Sequence, residues 1–344
     1  VNLQLYQVHA VTEGTDAQAT VSVRIEESGE TTVGQAADSD TLVAAASAGL
    51  NALHNMINEE DKTTPGHAPE EDAKQQQRGV QRGRVRQIAK EWSQKADKKT
   101  IVSDNAIDCR MEKDGPLVVP EVKLDDLDKH KNSISNPNCL TMQMVLALKP
   151  LHDEYKINRV VVSTYQAVSG AGKAPMDELF DQTKDFLNKK KICSNNFTKQ
   201  IAFNLIPHID VFDKDGYTKE ELKMTNETKK ILDEDINVTA TCVRVPVRTG
   251  HSESINIEFD NLYDFENIVK ILNNAPGCKV IDDRKDGGYM TPLEAEGDYT
   301  TFISRIRKDN SNVKAINIWV VSDNLLKGAA LNTVQIAEHL VKKL

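Results

Sequence analysis

No apolar run in this 344-residue sequence approaches the ~20 residues that a membrane-spanning helix needs. The start carries no basic segment followed by an apolar stretch, so no secretory leader is expected, and the cytoplasm is the expected compartment. Cysteine is scarce: residues 109, 139, 193, 242 and 278 form an odd set with no clustered spacing. That excludes a disulfide framework and a CxxC zinc pattern, and leaves free thiols in a reducing compartment. An excess of positive charge is also missing. With 52 acidic against 43 basic side chains the formal net charge is −9, which speaks against a nucleic-acid partner. No internal repeat is visible. Gly170-Ala171-Gly172-Lys173 is glycine-rich, but its spacing does not fit the GxxxxGK[ST] phosphate loop. Val1 reads as mid-strand, as at the start of a fragment. What remains is a chain long enough for two or three domains.

Residues 1–57 predict a compact module of strands and one helix. Leu3 and Leu5 alternate with Tyr6 and Val8, and Ala19, Val21, Val23 and Ile25 alternate cleanly with polar partners, the period of a half-buried strand. Ser28-Gly29 signals a turn into a short return strand through Thr32 and Val33. Asp38, Ser39 or Asp40 caps the helix expected next. Residues 58–100 change character: charged and polar residues, Pro65, Pro69 and a glutamine run leave little for a core, so a disordered linker is expected. Its later part is basic (Arg78, Arg82, Arg84, Arg86, Lys90) with Trp92 as lone aromatic, the pattern of a solvated face.

Residues 101–344 read as one α+β domain. Val160-Val161-Val162, ending in Ser163-Thr164-Tyr165-Gln166, predicts a buried central strand. Across 238–247, Ala240, Cys242 and Arg244 share one face and Val243, Val245 and Val247 the other. From His251 to Phe259, Ile255, Ile257 and Phe259 line the face that His251 starts, and 315–321 is a further strand. The closing helix carries Val334, Ala337, Val341 and Leu344 on one stripe, which predicts docking against the sheet. Organising all of this is Ser135-Asn136-Pro137-Asn138-Cys139, followed by an apolar run from Leu140 to Leu148. Pro137 forbids helix just before it. Leu140, Met142, Met144, Val145, Leu146 and Leu148 cover nearly the whole circumference of a helix, which should therefore be buried. Cys139 then sits at a helix N-terminus, where the partial positive charge favours thiolate. A small buried hydrophobe is the alternative role for it.

Arg244, on a face otherwise lined by small residues, has room beside it for an anion. His251 begins the next strand past Pro246 and Gly250. Thiolate, imidazole and guanidinium together suit acyl chemistry through a thioester. Separately, His251 can cap a strand and Arg244 can pair with a carboxylate such as Glu253.

Two family resemblances cover most of the chain. Tyr6 to Ala17, Gly34 to Asp40 and Ala48 to Leu53 resemble the second half of the C-terminal leucine-sensing domain of 2-isopropylmalate synthase. The resemblance implies leucine as a ligand of this module, with His9 and Asp16 as contacts or as structural hydrogen-bonding residues. From about residue 101, Asn136-Pro137-Asn138-Cys139, Arg159 to Lys173, Gly250-His251-Ser252-Glu253-Ser254, Arg305 to Asp309 and Asp323 to Ala330 resemble aspartate-semialdehyde dehydrogenase.

That second resemblance implies the family's catalytic and dimerisation domain and NADPH-dependent reductive dephosphorylation of β-aspartyl phosphate, in the pathway to lysine, threonine and methionine. It implies Cys139 as nucleophile, Gln166 as the group that positions substrate and thiol, and His251 as acid/base. Arg244 would clamp the α-carboxylate and Glu220 meet the amine. Lys223, Arg110 and Asn138 would hold phosphate, and Ser169, Gly170 and Asn324 approach the nicotinamide cofactor. A homodimer is implied too. The sequence departs from the family before Cys139: no spaced glycines follow a predicted strand there. Only Val102 to Arg110 resembles the nucleotide-binding domain, altered at Ile107, Asp108 and Cys109. NADP(H) held from the substrate-domain side alone is expected to bind weakly. Leu140 stands where the family has a small hydroxyl residue, which takes a polar group away from the helix start. The alternatives to an enzyme are a non-catalytic leucine-responsive or dimer-partner regulatory protein, or a decayed fusion.

Overall fold

The computed structural model describes residues 2–10, 19–27, 30–38, 101–104, 110–112, 115–131 and 133–342. Asp16, the helix expected past Asp40, the expected linker 58–100 and residues 107–109 lie outside the described residues. At the N-terminus, β1 (Asn2–Ala10), β2 (Ala19–Glu27) and β3 (Glu30–Asp38) form an antiparallel sheet in that order. Leu3 lies opposite Ile25, and Glu27 opposite Glu30 closes the hairpin across Ser28-Gly29. The return strand is nine residues long, well beyond the short piece around Thr32 and Val33.

In the remainder, β4 (Val102–Asp104) pairs in parallel with β5 (Ser133–Ser135), separated in sequence by α1 (Pro120–Lys123). Then come α2 (Cys139–Tyr155), β6 (Ile157–Gln166), α3 (Lys173–Leu187), α4 (Lys219–Ile231), β7 (Asn237–Arg244), β8 (His251–Phe259), α5 (Phe265–Asn273) and β9 (Cys278–Val280). The chain continues with α6 (Pro292–Ala295), β10 (Thr301–Lys308), β11 (Ala315–Ser322) and α7 (Leu331–Val341). Six strands make one mixed sheet in the order β7-β6-β8-β11-β10-β9. β6 runs parallel to β7 and antiparallel to β8, so it has partners on both sides.

α2 is the centre of the domain. Leu140, Met144, Leu148 and Leu151 pack on Val160, Val162, Ile255, Ile257, Ile316 and Val320 of the sheet. Met142, Val145 and Leu146 on the opposite side meet Leu117, Val119, Val122 and Ile231. The helix is therefore buried all round, as its sequence predicts. Truncating any one of these side chains to alanine is expected to cost about 2–5 kcal/mol. β6 alternates buried with partly exposed residues, so Val161 lies on the half-covered face while Val160 and Val162 enter the core.

Two expectations need correction. β7 stops at Arg244, so Val245 and Val247 lie beyond the strand, although Val245 N–H still bonds Gln166 O (3.0 Å) in the parallel pattern. The closing helix buries Asn332, Thr333 and Ile336, whereas Val334 is 41% exposed. Its apolar contacts are Val118, Leu127 and Ile134, with Leu340 alongside, so it packs on the β4–β5 region and not on the six-stranded sheet. The face is set by Asn332, whose amide donates to Val118 O (2.9 Å) and Asn136 Oδ1 (2.5 Å). Buried polar groups must be paired, and that requirement outranks one apolar stripe.

Candidate active site

Strand direction explains why distant residues meet. Gln166 and Arg244 are the last residues of the parallel strands β6 and β7 and lie in register. β8 runs the other way, so its first residue, His251, lies at the same edge of the sheet, opposite Ser322 at the end of β11. The N-terminus of α2 opens over that edge. Gly250 makes the approach possible: its φ of +91° suits glycine, and a Cβ there would meet Pro292 at 2.9 Å.

Cys139 is the first helical residue of α2 and remains partly exposed, surrounded by side chains that are otherwise buried. Asn138 caps the helix by accepting from Leu140 N–H (3.0 Å), so the helix start is capped from position 138 although residue 140 carries no hydroxyl. The Asn138 amide donates to Glu220 Oε1 (3.0 Å), which also accepts from Gln166 Nε2 (3.1 Å). Thr164 Oγ1 donates to Gln166 Oε1 (3.0 Å) and fixes the amide the other way round. Lys223 donates to Glu220 Oε2 (2.8 Å) and to Asp210 (3.0 Å). Burial pushes the Glu220 carboxyl up, but Lys223 and the hydrogen bonds from Asn138 and Gln166 outweigh it and hold Glu220 below the usual carboxylate range.

Arg110 pairs with Glu227 (3.0 Å), and Glu227 also accepts the Asn138 backbone N–H (2.6 Å). Arg244 donates from Nη1 to Ala167 O (2.6 Å), and Ala167 N–H donates to His251 Nδ1 (3.0 Å). The pairing of Arg244 with Glu253 does not occur: both Glu253 carboxylate oxygens are buried without a hydrogen-bond partner. Burial therefore raises the Glu253 carboxyl well above its ordinary range. Ser169 and Asn324 hydrogen-bond each other (3.0 Å), and Asn324 Oδ1 accepts Gly250 N–H (2.9 Å).

The charge state of Cys139 departs from the sequence expectation. Burial first, then the Glu220 carboxylate, pushes the thiol up to about 12, against the pull of Arg110, Arg244 and Leu140 N–H. A helix N-terminus is worth about 0.3–1 kcal/mol, too little to overcome removal from water. At neutral pH the resting group is the thiol.

The eleven residues singled out around Cys139 all lie in the described part. Cys139, Asn138, Gln166, Glu220, Lys223, Arg244 and His251 are linked through direct hydrogen bonds, shared electrostatics or chain continuity. Arg110 joins through Glu227, and Ser169, Gly170 and Asn324 flank the His251 side. Three further contributors escaped sequence reasoning. Ala167 acts through its backbone, which leaves no side-chain signal. Glu227 lies seven residues after Glu220, two helical turns along the same face. Gly328 is tight against Cys139: a Cβ there would lie 2.8 Å from Cys139 Cβ. Its loop is tied to α1 by Lys327, which is buried and donates to Glu121 (2.6 Å), Asn332 and Gln335.

Without side chains at 170 and 328, the backbone lies directly against His251 and Cys139. No glycine-spaced strand-to-helix loop occurs among the described residues before Cys139. Among the described residues, no cluster of His, Cys, Asp or Glu could hold a metal, and no helix is long and apolar enough to cross a membrane.

A mixed sheet with a thiol, an imidazole and a guanidinium at one edge is the setting of a semialdehyde dehydrogenase. Residues 148–327 match the family model described as semialdehyde dehydrogenase, dimerisation domain. The chain is 52% identical to the aspartate-semialdehyde dehydrogenase of Aquifex aeolicus (strain VF5) over 260 residues, 74% of this chain and 76% of that protein. It is also similar to the crystal structure of aspartate-semialdehyde dehydrogenase II from Vibrio cholerae complexed with ASA. There the identity is 44% and the TM-score 0.71, covering 74% of this chain and 77% of that one. The Candida albicans enzyme with NADP gives 25% identity and a TM-score of 0.56, covering 76% and 75%. The chain belongs to the aspartate-semialdehyde dehydrogenase family, a family of NADP-dependent oxidoreductases of amino-acid biosynthesis. Residues 1–57 match a second model, the LeuA allosteric (dimerisation) domain.

Proposed function

We propose that the chain converts β-aspartyl phosphate and aspartate semialdehyde into one another through a thioester on Cys139. The observation that carries the reading is the convergence of Cys139, Gln166, Arg244 and His251 on one sheet edge beside the Glu220–Lys223 pair. Arg244 presents a planar guanidinium for the substrate α-carboxylate, a bidentate task. Glu220 faces the substrate ammonium, and Lys223, Arg110 and Asn138 hold the phosphate. Glu220 is also the second cause of the raised thiol. An ammonium ion against Glu220 removes part of that repulsion, so substrate binding itself eases the thiol toward thiolate. Gln166, fixed by Thr164 and Glu220, holds the carbonyl over the sulfur.

Ser169, Gly170 and Asn324 would hold the nicotinamide end of the cofactor, which supplies the two electrons of the reduction when bound. With no glycine loop for its pyrophosphate in this sequence, its affinity is weak. The active unit is a homodimer in the cytoplasm, built from a dehydrogenase domain over 101–344, a linker over 58–100 and a regulatory fragment over 1–57. The test is NADP-dependent oxidation of aspartate semialdehyde with phosphate by the full chain. A rate equal to that of the Cys139→Ala variant would remove the enzymatic reading.

The match of residues 1–57 to the LeuA allosteric domain favours a second reading, in which the module takes leucine. A leucine titration of the full chain by calorimetry, with thermal unfolding alongside, tests it. Absence of both heat and shift would remove leucine from the account.

A further inference from the structure

We propose that Lys230 is a positioning residue for anion binding: by gathering three carbonyls of the segment that carries Arg110, it fixes where the Arg110 guanidinium stands in the phosphate subsite. The inference rests on the proposed function, in which Arg110 meets the phosphate. Lys230 lies in the last turn of α4. A lysine there ordinarily complements the helix dipole or faces water. This one reaches out of its own helix. Its Nζ donates to Arg110 O (2.6 Å), Glu112 O (2.9 Å) and Gly115 O (2.9 Å).

An ammonium group has three hydrogens, so all of them are used, and on a single short segment. Carbonyls cannot pair with one another. Turned toward a common point they repel, and a cation with several donors is what makes such a path of the chain stable. The main chain at Arg110 therefore takes its place from the place of one ammonium.

The same helix holds the other end of Arg110. Glu227 Oε1 accepts from Arg110 Nη1 (3.0 Å), and Glu227 Oε2 accepts the Asn138 N–H (2.6 Å). Glu220, Lys223, Glu227 and Lys230 form one stripe of alternating charge, within about 80° of one another around the helix axis. That stripe reaches every group proposed to hold phosphate. Lys223 lies on it, Asn138 is tied to Glu220 and Glu227, and Arg110 is tied to Glu227 and Lys230. The adjoining face carries Met224, Thr228 and Ile231, all buried, so the helix is seated too tightly to slide.

Arg110 is also close enough to matter to the chemistry. Burial and then Glu220 push the Cys139 thiol up, and Arg110 is the first group to oppose them. A guanidinium binds an oxyanion through a planar fork, so its contribution depends on direction as well as charge. An ion pair at one of its nitrogens does not by itself fix the main chain behind it. Lys230 does.

The test is a titration of the full-length protein with inorganic phosphate, followed by phosphorus NMR, in a double-mutant cycle. Arg110→Gln should weaken binding about 10–100-fold, as loss of one charge-assisted contact does. Lys230→Met should weaken it at least about tenfold, although residue 230 touches no phosphate. The double variant should bind within about twofold of Arg110→Gln alone, because the second change acts only through the first residue. Lys230→Arg keeps the charge and loses the three converging hydrogens. It should fall between the parent and Lys230→Met, and it carries the cycle if the methionine variant does not fold. In the oxidation of aspartate semialdehyde, Lys230→Met should raise KM for phosphate at least about tenfold while kcat stays within about twofold. General damage to the fold would lower kcat as well.

Full phosphate affinity in Lys230→Met, or a double variant in which the two losses multiply, would overturn the proposal and leave Arg110 in the subsite. Unchanged affinity in Arg110→Gln would overturn the phosphate assignment and this inference together. Phosphate binding is read without turnover, so a failure of the thioester reading is seen separately in the NADP-dependent assay.

Discussion

The acyl side proposed for this site and the cofactor side proposed beside it are built differently. On the acyl side charged and amide groups hold one another: Glu220 holds Asn138, Gln166 and Lys223, and Glu227 holds Arg110 and the Asn138 backbone. Geometry there is fixed before any substrate arrives, which is what positioning a nucleophile against a carbonyl requires. The cofactor side consists of a hydrogen-bonded pair, Ser169 and Asn324, and two glycines that contribute by having no side chain. One half is a network of charges and the other an empty surface. On the proposed function, a surface of that kind contributes little affinity of its own for a cofactor.

The sharpest way to break this comparison is Cys139→Ala. It is expected to lower NADP-dependent turnover by about 10⁴-fold or more, as removal of a covalent nucleophile does. It should also abolish any phosphate released from an acyl phosphate without nucleotide. Nucleotide-free release by the unmodified chain, read by phosphate assay, would show the acyl side working alone. Arg244→Lys comes next: the amine keeps the charge and loses the planar fork, for about a 10²-fold loss in kcat/KM carried mostly by KM. A titration of NADPH should then show a dissociation constant weaker than about 10⁻⁴ M, worth less than about 5.5 kcal/mol. Micromolar binding would mean the cofactor side is better furnished than these residues imply.

The smallest expected effect concerns the floor beneath the acyl side. Glu253 is buried without a hydrogen-bond partner, and its folded pKa is raised above the unfolded one. Such a group contributes stability that is fully present below the unfolded pKa of about 4.5 and is lost as pH rises toward the folded value. Glu253→Gln removes that titration. Its melting temperature should exceed that of the parent by about 2–4 °C at pH 8, with the advantage shrinking at pH 5. An advantage that is larger at pH 5 would mean that the carboxyl is charged in the folded protein.

Much of the scaffold was legible beforehand. Pro137 and the run to Leu148 dictated an all-round buried helix with Cys139 at its head, and the β8 alternation placed His251 on the core side. The same alternation put Glu253 on that side too, yet its charge makes a surface pair with Arg244 the natural expectation. Closing-helix docking was misread for a related reason. Val334 and Val341 mark an apolar stripe, whereas Asn332 had a buried carbonyl to satisfy at Val118.

Taken alone, the residue order settled most of which segments are helix or strand and the buried faces of α2 and β8, because periodicity and steric limits act within a few residues of chain; the family came from the resemblance of its motifs. Which groups are charged and where each proton sits was decided by tertiary structure. The Cys139 thiol, the neutral His251 ring and the raised carboxyl of Glu253 all owe their state to burial and to groups far away along the chain. Electrostatic energy depends on what encloses a group, and no local pattern of residues records that.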